Sequence, residues 1–265
     1  MKNKLLLLIF LCLKGFMVNG QSWTLTDSLQ IGKAQALTYD PSGKLYVATQ
    51  NRQLYQLKRG KTEQSYASAQ LSGIGHLEAF HLLRLFAFYR ESQTFQFFDR
   101  FLTPGSQQLV NDPDQAFYSA ATLSSDQMLW LVDEVNLKLK KYHPILENIL
   151  ITADLRYYLD ESYKINYVRE YGNRVFVNNS MQEILLFDIM GNFLGKLPLR
   201  TEEAFYFNKD SLYFLSGREL ISYHLKTMQQ DRIILPRSAD HVLWIDDEVY
   251  IFYQDWLYRY IYRMG

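Results

Sequence analysis

The side chains that could do chemistry in this sequence are scattered and form no local motif. It contains no glycine-rich phosphate loop, no His-Glu-x-x-His pair and no Gly-x-Ser-x-Gly nucleophile elbow. Polar residues do recur at one offset. Ten residues ahead of six regularly placed aromatics stand Ala36, His76, Ala120, Asn166, Glu203 and Asp240, with His241 beside the last. If His76, Asn166, Glu203 and Asp240 converge on an axis, they form the kind of set that Ca²⁺ or a catalytic divalent ion requires. The plainer alternative is that they are strand-end residues in contact with water. His81, His143 and His224 are expected at strand edges or in loops.

A second set of candidates lies in short polar stretches that follow the same aromatics. These read Gln50-Asn51-Arg52, Arg90-Glu91-Ser92, Asp133-Glu134-Val135-Asn136, Asn178-Asn179-Ser180, Ser216-Gly217-Arg218-Glu219 and Gln254-Asp255-Trp256. Turns are polar wherever they meet water. A partner that used them would be met by Arg90, Glu91, Asp133, Glu134, Asn178, Arg218, Asp255 and Trp256. Trp256 is the expected apolar anchor and Arg90 and Arg218 the expected charged contacts, because Trp and Arg dominate interface hot spots. Trp23 is the other indole singled out, and the plainer reading of Trp256 is that it packs over the channel rim. The Asn178-Asn179-Ser180 sequon matters only in a glycosylating host.

The elements that must hold these residues form a repeat. The triplets Leu45-Tyr46-Val47, Leu85-Phe86-Ala87, Leu129-Trp130-Leu131, Val175-Phe176-Val177, Leu212-Tyr213-Phe214 and Val249-Tyr250-Ile251 have central aromatics 40, 44, 46, 37 and 37 residues apart. A further apolar residue (Leu57, Phe97, Tyr142, Phe187, Tyr223, Tyr260) follows each central aromatic by 10 to 12 residues. Turn signals such as Pro41-Ser42-Gly43 and Gly172-Asn173 precede most triplets, although the second has none. With a segment before each turn and a weaker one after the third, each unit of about 40 residues reads as a four-stranded antiparallel meander.

Strands such as 249–253 are apolar on both faces, so their sheets must be covered on both sides. Blades packed face to face around an axis meet that demand, and six of them use nearly all of residues 21–265. The run Leu37-Thr38-Tyr39-Asp40-Pro41-Ser42-Gly43-Lys44-Leu45-Tyr46-Val47 resembles the six-bladed β-propellers of the NHL and TolB-like groups. The resemblance covers all six units as a pattern and only the first as a motif. It implies a single all-β propeller domain of four-stranded antiparallel blades, and it does not fix a function. Sugar-lactone hydrolases of the six-bladed class hold a metal at the channel mouth, which is what the metal reading of His76, Asn166, Glu203 and Asp240 would imply. A WD40 reading is weaker, since no Trp-Asp or Gly-His pair repeats. An α/β fold would need helices, and only the stretch 145–169 is long enough; it reads as an outer strand plus an insertion with a short helix. The last unit stops after three strands, so the strand-like 23–31 is expected to pair with its third strand and close the ring.

Composition bounds the remainder. The chain has 265 residues, 48% of them apolar, and its 20 Tyr, 17 Phe and 4 Trp favour strands. Its 28 basic and 28 acidic residues balance, giving no reason to expect nucleic acid or an acidic membrane as partner. Lys2 and Lys4 precede the apolar run 5–13, and Val18-Asn19-Gly20 suits a signal peptidase, so residues 1–20 read as an export leader too short to span a bilayer. Cys12, the only cysteine, falls inside that run behind Leu11, where lipidation would want a small residue. Cleavage removes three lysines and leaves 25 basic against 28 acidic residues. The expectation is an exported, periplasmic or secreted, monomeric and non-catalytic binding or assembly module. A partner protein or a glycan would meet its polar loop face, and no cofactor is needed. The alternative is a metal-dependent, lactonase-like hydrolase holding Ca²⁺.

Overall fold

The computed structural model describes residues 22–68, 73–81, 84–112, 114 and 116–263. The expected leader lies outside them. Among the described residues the regular elements are strands, apart from one 3-10 turn at Leu155–Tyr157. First in the chain is β1 (Ser22–Gln30). Blade one is β2 (Ala34–Tyr39), β3 (Leu45–Thr49), β4 (Gln53–Lys58) and β5 (Lys61–Ala67); blade two is β6 (His76–His81), β7 (Arg84–Tyr89), β8 (Thr94–Asp99) and β9 (Gln108–Leu109). Blade three is β10 (Tyr118–Leu123), β11 (Leu129–Asp133), β12 (Lys138–His143) and β13 (Asn148–Asp154); blade four is β14 (Ile165–Tyr171), β15 (Arg174–Asn179), β16 (Ile184–Asp188) and β17 (Phe193–Leu197). Blade five is β18 (Phe205–Asn208), β19 (Ser211–Ser216), β20 (Glu219–His224) and β21 (Gln230–Ile234). Blade six is β22 (His241–Ile245), β23 (Glu248–Tyr253) and β24 (Trp256–Arg263), with β1 as its outermost strand.

The reason for the triplet repeat lies in the packing. In every triplet the central aromatic faces the following blade and its two neighbours face the preceding one. Tyr46 packs with Leu77 and Leu85 of blade two, whereas Leu45 and Val47 pack with Leu243 and Tyr250 of blade six. The same alternation places Phe86 against blade three, Trp130 against blade four, Phe176 against blade five, Tyr213 against blade six and Tyr250 against blade one. These six aromatics are all at most 4% exposed. Large rings on one face and, Phe214 aside, aliphatic side chains on the other let neighbouring sheets interdigitate. The six clusters close into a ring because the last one joins blades six and one.

Buried polar side chains bolt adjacent blades together. Glu170 of blade four accepts from Trp130 Nε1 (2.7 Å), Ser124 Oγ (2.5 Å) and Ser125 N (2.9 Å) of blade three. Tyr213 of blade five accepts from Trp244 N (2.8 Å) of blade six. Along the outer edge of blade six, β1 runs antiparallel to β24 from Ser22↔Arg263 to Gln30↔Trp256.

Candidate functional site

In each blade the innermost strand begins, and the second strand turns into the third, at the same end of the sheet. Antiparallel topology therefore gathers these connections on one face, here called the loop face. At this end of their innermost strands, blades one, three and four carry a bulge, at Gln35, Ser119 and Asn166. A bulge re-aims the side chain it adds. Backbone pairing shows that the structurally equivalent residues are Ala36↔Ala48, His76↔Phe88, Ala120↔Val132, Tyr167↔Asn178 and His241↔Phe252. Just ahead of them stands a second ring at the channel mouth: Gln35, Gly75, Ser119, Asn166, Glu203 and Asp240. A fixed count of ten residues thus falls on the first ring in blades one to three and on the second in blades four to six.

The proposed metal set is consequently split between the two rings. His76 and Asn166 line one cleft of 410 Å³, and Glu203 and Asp240 line another of 680 Å³ with His241, Lys33 and Arg200. Asn166 Oδ1 is already occupied by Asn178 Nδ2 (2.8 Å), and Asp240 Oδ2 accepts from Gln254 N (2.7 Å). Among the described residues no three His, Cys, Asp or Glu side chains gather in a way that could hold a metal ion.

Below the mouth lies a charged pair with no local signature in the sequence. Glu78 of blade two is fully buried, with Arg169 Nε of blade four 3.4 Å from its Oε1. Its other oxygen accepts from Leu123 N (3.0 Å) and from the Thr122 hydroxyl of blade three. Burial pushes this carboxyl up, but the guanidinium, His76 and Thr122 together outweigh it and hold it below the usual carboxylate range. His76 Nε2 stands 3.7 Å from Glu78 Oε2, too far for a hydrogen bond, and burial lowers the imidazole pKa. Tyr167 stacks obliquely on His76 at 5.0 Å, and burial raises its phenol to about 12.

The expected loop contacts divide into exposed and buried groups. Arg90, Glu91, Glu134, Arg218, Asp255 and Trp256 are exposed on the loop face. Arg90 pairs with Glu134 at 3.0 Å and lies over the Phe117 ring at 5.7 Å, so it is already engaged. Trp256, 39% exposed, stacks on Tyr258. Trp23 is half-buried against Tyr260 and Tyr262 on the outer edge of blade six. Asp133 and Asn178 are corrections to the sequence reading, since both are fully buried and neither can touch a partner. Asp133 ties down its own turn by accepting from Val135 N (3.1 Å) and Asn136 N (2.9 Å), with Lys140 Nζ 3.0 Å away. Asn178 donates to Asn166 Oδ1 and to Thr201 O (3.0 Å). Its burial also makes it unfit as a glycan acceptor. His143 and His224 accept from backbone N–H groups in turns on the opposite face, and the His81 side chain lies outside the described residues.

Sequence reasoning missed an apolar arc over blades two to four on the loop face. Phe117 (37% exposed), Val135 (66%), Tyr157 (81%), Tyr163 (41%) and Met181 (43%) stand on successive connections. These loops are joined through Glu134 N→Phe117 O (2.9 Å), Leu155 N→Leu137 O (2.8 Å) and Gln182 Nε2→Ser162 O (2.8 Å). The available signal was the aromatic content of the insertion between β13 and β14, Tyr157-Tyr158 and Tyr163.

No family model matches the chain, and no curated protein matches it in sequence. Solved structures do match in fold. Virginiamycin B lyase from Staphylococcus aureus is similar over 91% of this chain and 99% of its own, with a TM-score of 0.63 and 10% identity. BamB from Moraxella catarrhalis is similar over 92% and 99%, with a TM-score of 0.56 and 8% identity. The Cps50 (Swd1) propeller domain of Myceliophteria thermophila is similar over 91% and 99%, with a TM-score of 0.58 and 10% identity. At such identities the likeness is one of fold. The chain is a six-bladed propeller that resembles the NHL and TolB-like groups at that level. Among the described residues no helix is long and apolar enough to cross a membrane.

Proposed function

We propose that the protein is an exported, non-catalytic binding or assembly module whose loop face docks a partner protein. The observation that carries this reading is the apolar arc on blades two to four. Five large apolar side chains on linked loops, edged by the Arg90–Glu134 and Arg156–Asp154 pairs, have the make-up of an interface: an apolar centre with a charged rim. The turns below them are fixed by buried polar groups, Asp133 among them, so little ordering is left to be done on binding. The fold hosts a lyase as well as proteins whose names carry no activity, so it is the surface that decides.

The test is capture of partners from the native envelope or secretome by the tagged mature chain. A Tyr157→Asp, Met181→Asp double variant places charge in the arc on exposed side chains, so folding is retained. Recovery of the captured protein is expected to fall tenfold or more, as for loss of a hot spot worth about 2 kcal/mol. Undiminished recovery, with loss instead in a Trp256→Ala, Arg218→Ala variant, would move the contact to blades five and six.

A further inference from the structure

The cleft beside the arc carries an inference of its own. It opens among blades one to four, where the mouth ring has Gly75 in place of a side chain. A Cβ at Gly75 would meet Arg90 Cβ at 3.5 Å, so the gap is kept by the absence of a side chain and is not demanded by backbone strain. Around it the bulges of blades one, three and four turn Gln35, Ser119 and Asn166 toward one space. Its apolar walls are Phe88, Phe117 and Tyr167.

Two lining residues have polar atoms without a hydrogen-bond partner among the described residues: Ser119 Oγ and His76 Nε2. Ser119 is 5% exposed and His76 7%. An unpaired buried polar atom is costly, and native structures leave few of them without a water, an ion or a ligand. The Ser119 hydroxyl swings on a single bond and can meet either a donor or an acceptor.

The chemistry of the cleft selects its ligand. Its one guanidinium, Arg90, is neutralised by Glu134 at 3.0 Å, and its carboxylate, Glu91, is exposed to water. Burial favours the neutral form of His76. The remaining polar groups are the Gln35 amide, the Ser119 hydroxyl and Asn166, whose amide is held by Asn178 Nδ2 (2.8 Å) and Glu202 O (2.7 Å). They suit a neutral molecule that presents several hydroxyls on one side and a C–H face to Phe117 on the other. A volume of 410 Å³ falls within the range of about 300–1,000 Å³ for small-molecule sites.

We infer that this cleft binds a short neutral saccharide, with Ser119 and Gln35 as hydrogen-bonding residues and Phe117 as the stacking face. The inference does not depend on protein docking at the arc. Loss of partner capture with saccharide binding intact would overturn the docking reading alone, and the converse would overturn this one alone.

The experiment is a titration of the isotopically labelled mature protein with maltose, cellobiose, lactose and chitobiose, read by amide and imidazole chemical shifts. At least one of these is expected to shift His76, Ser119 and Asn166 together at millimolar concentration. Ser119→Ala is expected to weaken that binding roughly tenfold, as for one lost hydrogen bond. Because Ser119 is buried, the exposed Gln35→Ala serves as the second variant, with a several-fold loss expected. Ile145→Ser, on the opposite face, is expected to bind as wild type. Absence of shifts at these residues with all four sugars would overturn the inference. So would binding confined to charged probes such as glucuronate or glucosamine, or affinity unchanged in both cleft variants.

Discussion

At the scale of single residues, burial and charge oppose each other at His76, beside the Glu78–Arg169 pair. The imidazole is buried, and burial lowers its pKa against the pull of Glu78; His241 is lowered by burial as well. A group whose folded-state pKa is depressed binds fewer protons in the folded chain than in the unfolded one. Its contribution to stability is therefore complete above the unfolded value of 6.5 and is lost as pH falls through the folded value. Glu78 acts in the same direction lower down, below the ordinary value of 4.5. Urea midpoints are thus expected to fall as pH is lowered from roughly 6.5 to 5, and His76→Gln should flatten that slope. A midpoint that is flat across this window in the wild type would contradict the assignment. The channel pair could not be read from sequence because Glu78 and Arg169 come from blades two and four, and only ring closure makes them neighbours. Asp133 and Asn178 were misread for a related reason: a polar residue in a turn looks the same in sequence whether it faces solvent or ties the turn from within.

Among the elements, β1 is the one that pairs the start of the described chain with its end. It makes eight registered pairs with β24, interrupted by a bulge between Leu25 and Asp27. Thr26 Oγ1 donates to Arg259 O (3.0 Å), and Trp23 lies 4.5 Å from the Tyr262 ring. Deleting residues 21 to 31 removes a complete ladder, uncovers β24 and strips Ile31 from the cluster between blades six and one. The melting temperature is expected to drop by well over 5 °C, since even a loss of about 1 kcal/mol moves it by about 2–4 °C in a domain of this size. An unchanged melting curve would show that β1 adds no stability to the ring. The blades were legible because each central aromatic must face the next blade, which makes the spacing of Tyr46, Phe86, Trp130, Phe176, Tyr213 and Tyr250 periodic. The inner-strand register was less so. The hairpin joining the paired positions is one residue longer in blades one to three (36–48, 76–88, 120–132) than in blades four and six (167–178, 241–252), and a fixed count slips by that residue.

At the scale of the whole molecule, the described ring runs from Ser22 to Arg263, whose backbones pair with each other. Each of the six inter-blade clusters is built from residues between 31 and 262. Under the proposed export, residues 1–20, with two lysines ahead of an uncharged apolar run, are removed as a leader. The cellular protein should accordingly begin at or within a few residues of Gln21. Its balance would then shift from 28 basic and 28 acidic residues to 25 and 28, making it mildly acidic. Purified chain starting at Gln21 is expected to fold and melt cooperatively, because every described strand lies within it. Intact mass and N-terminal peptide analysis of protein recovered from cells measures the start directly. A population that retains Met1 to Gly20 would remove the export reading, and with it the envelope or secretome as the place to look for the partner.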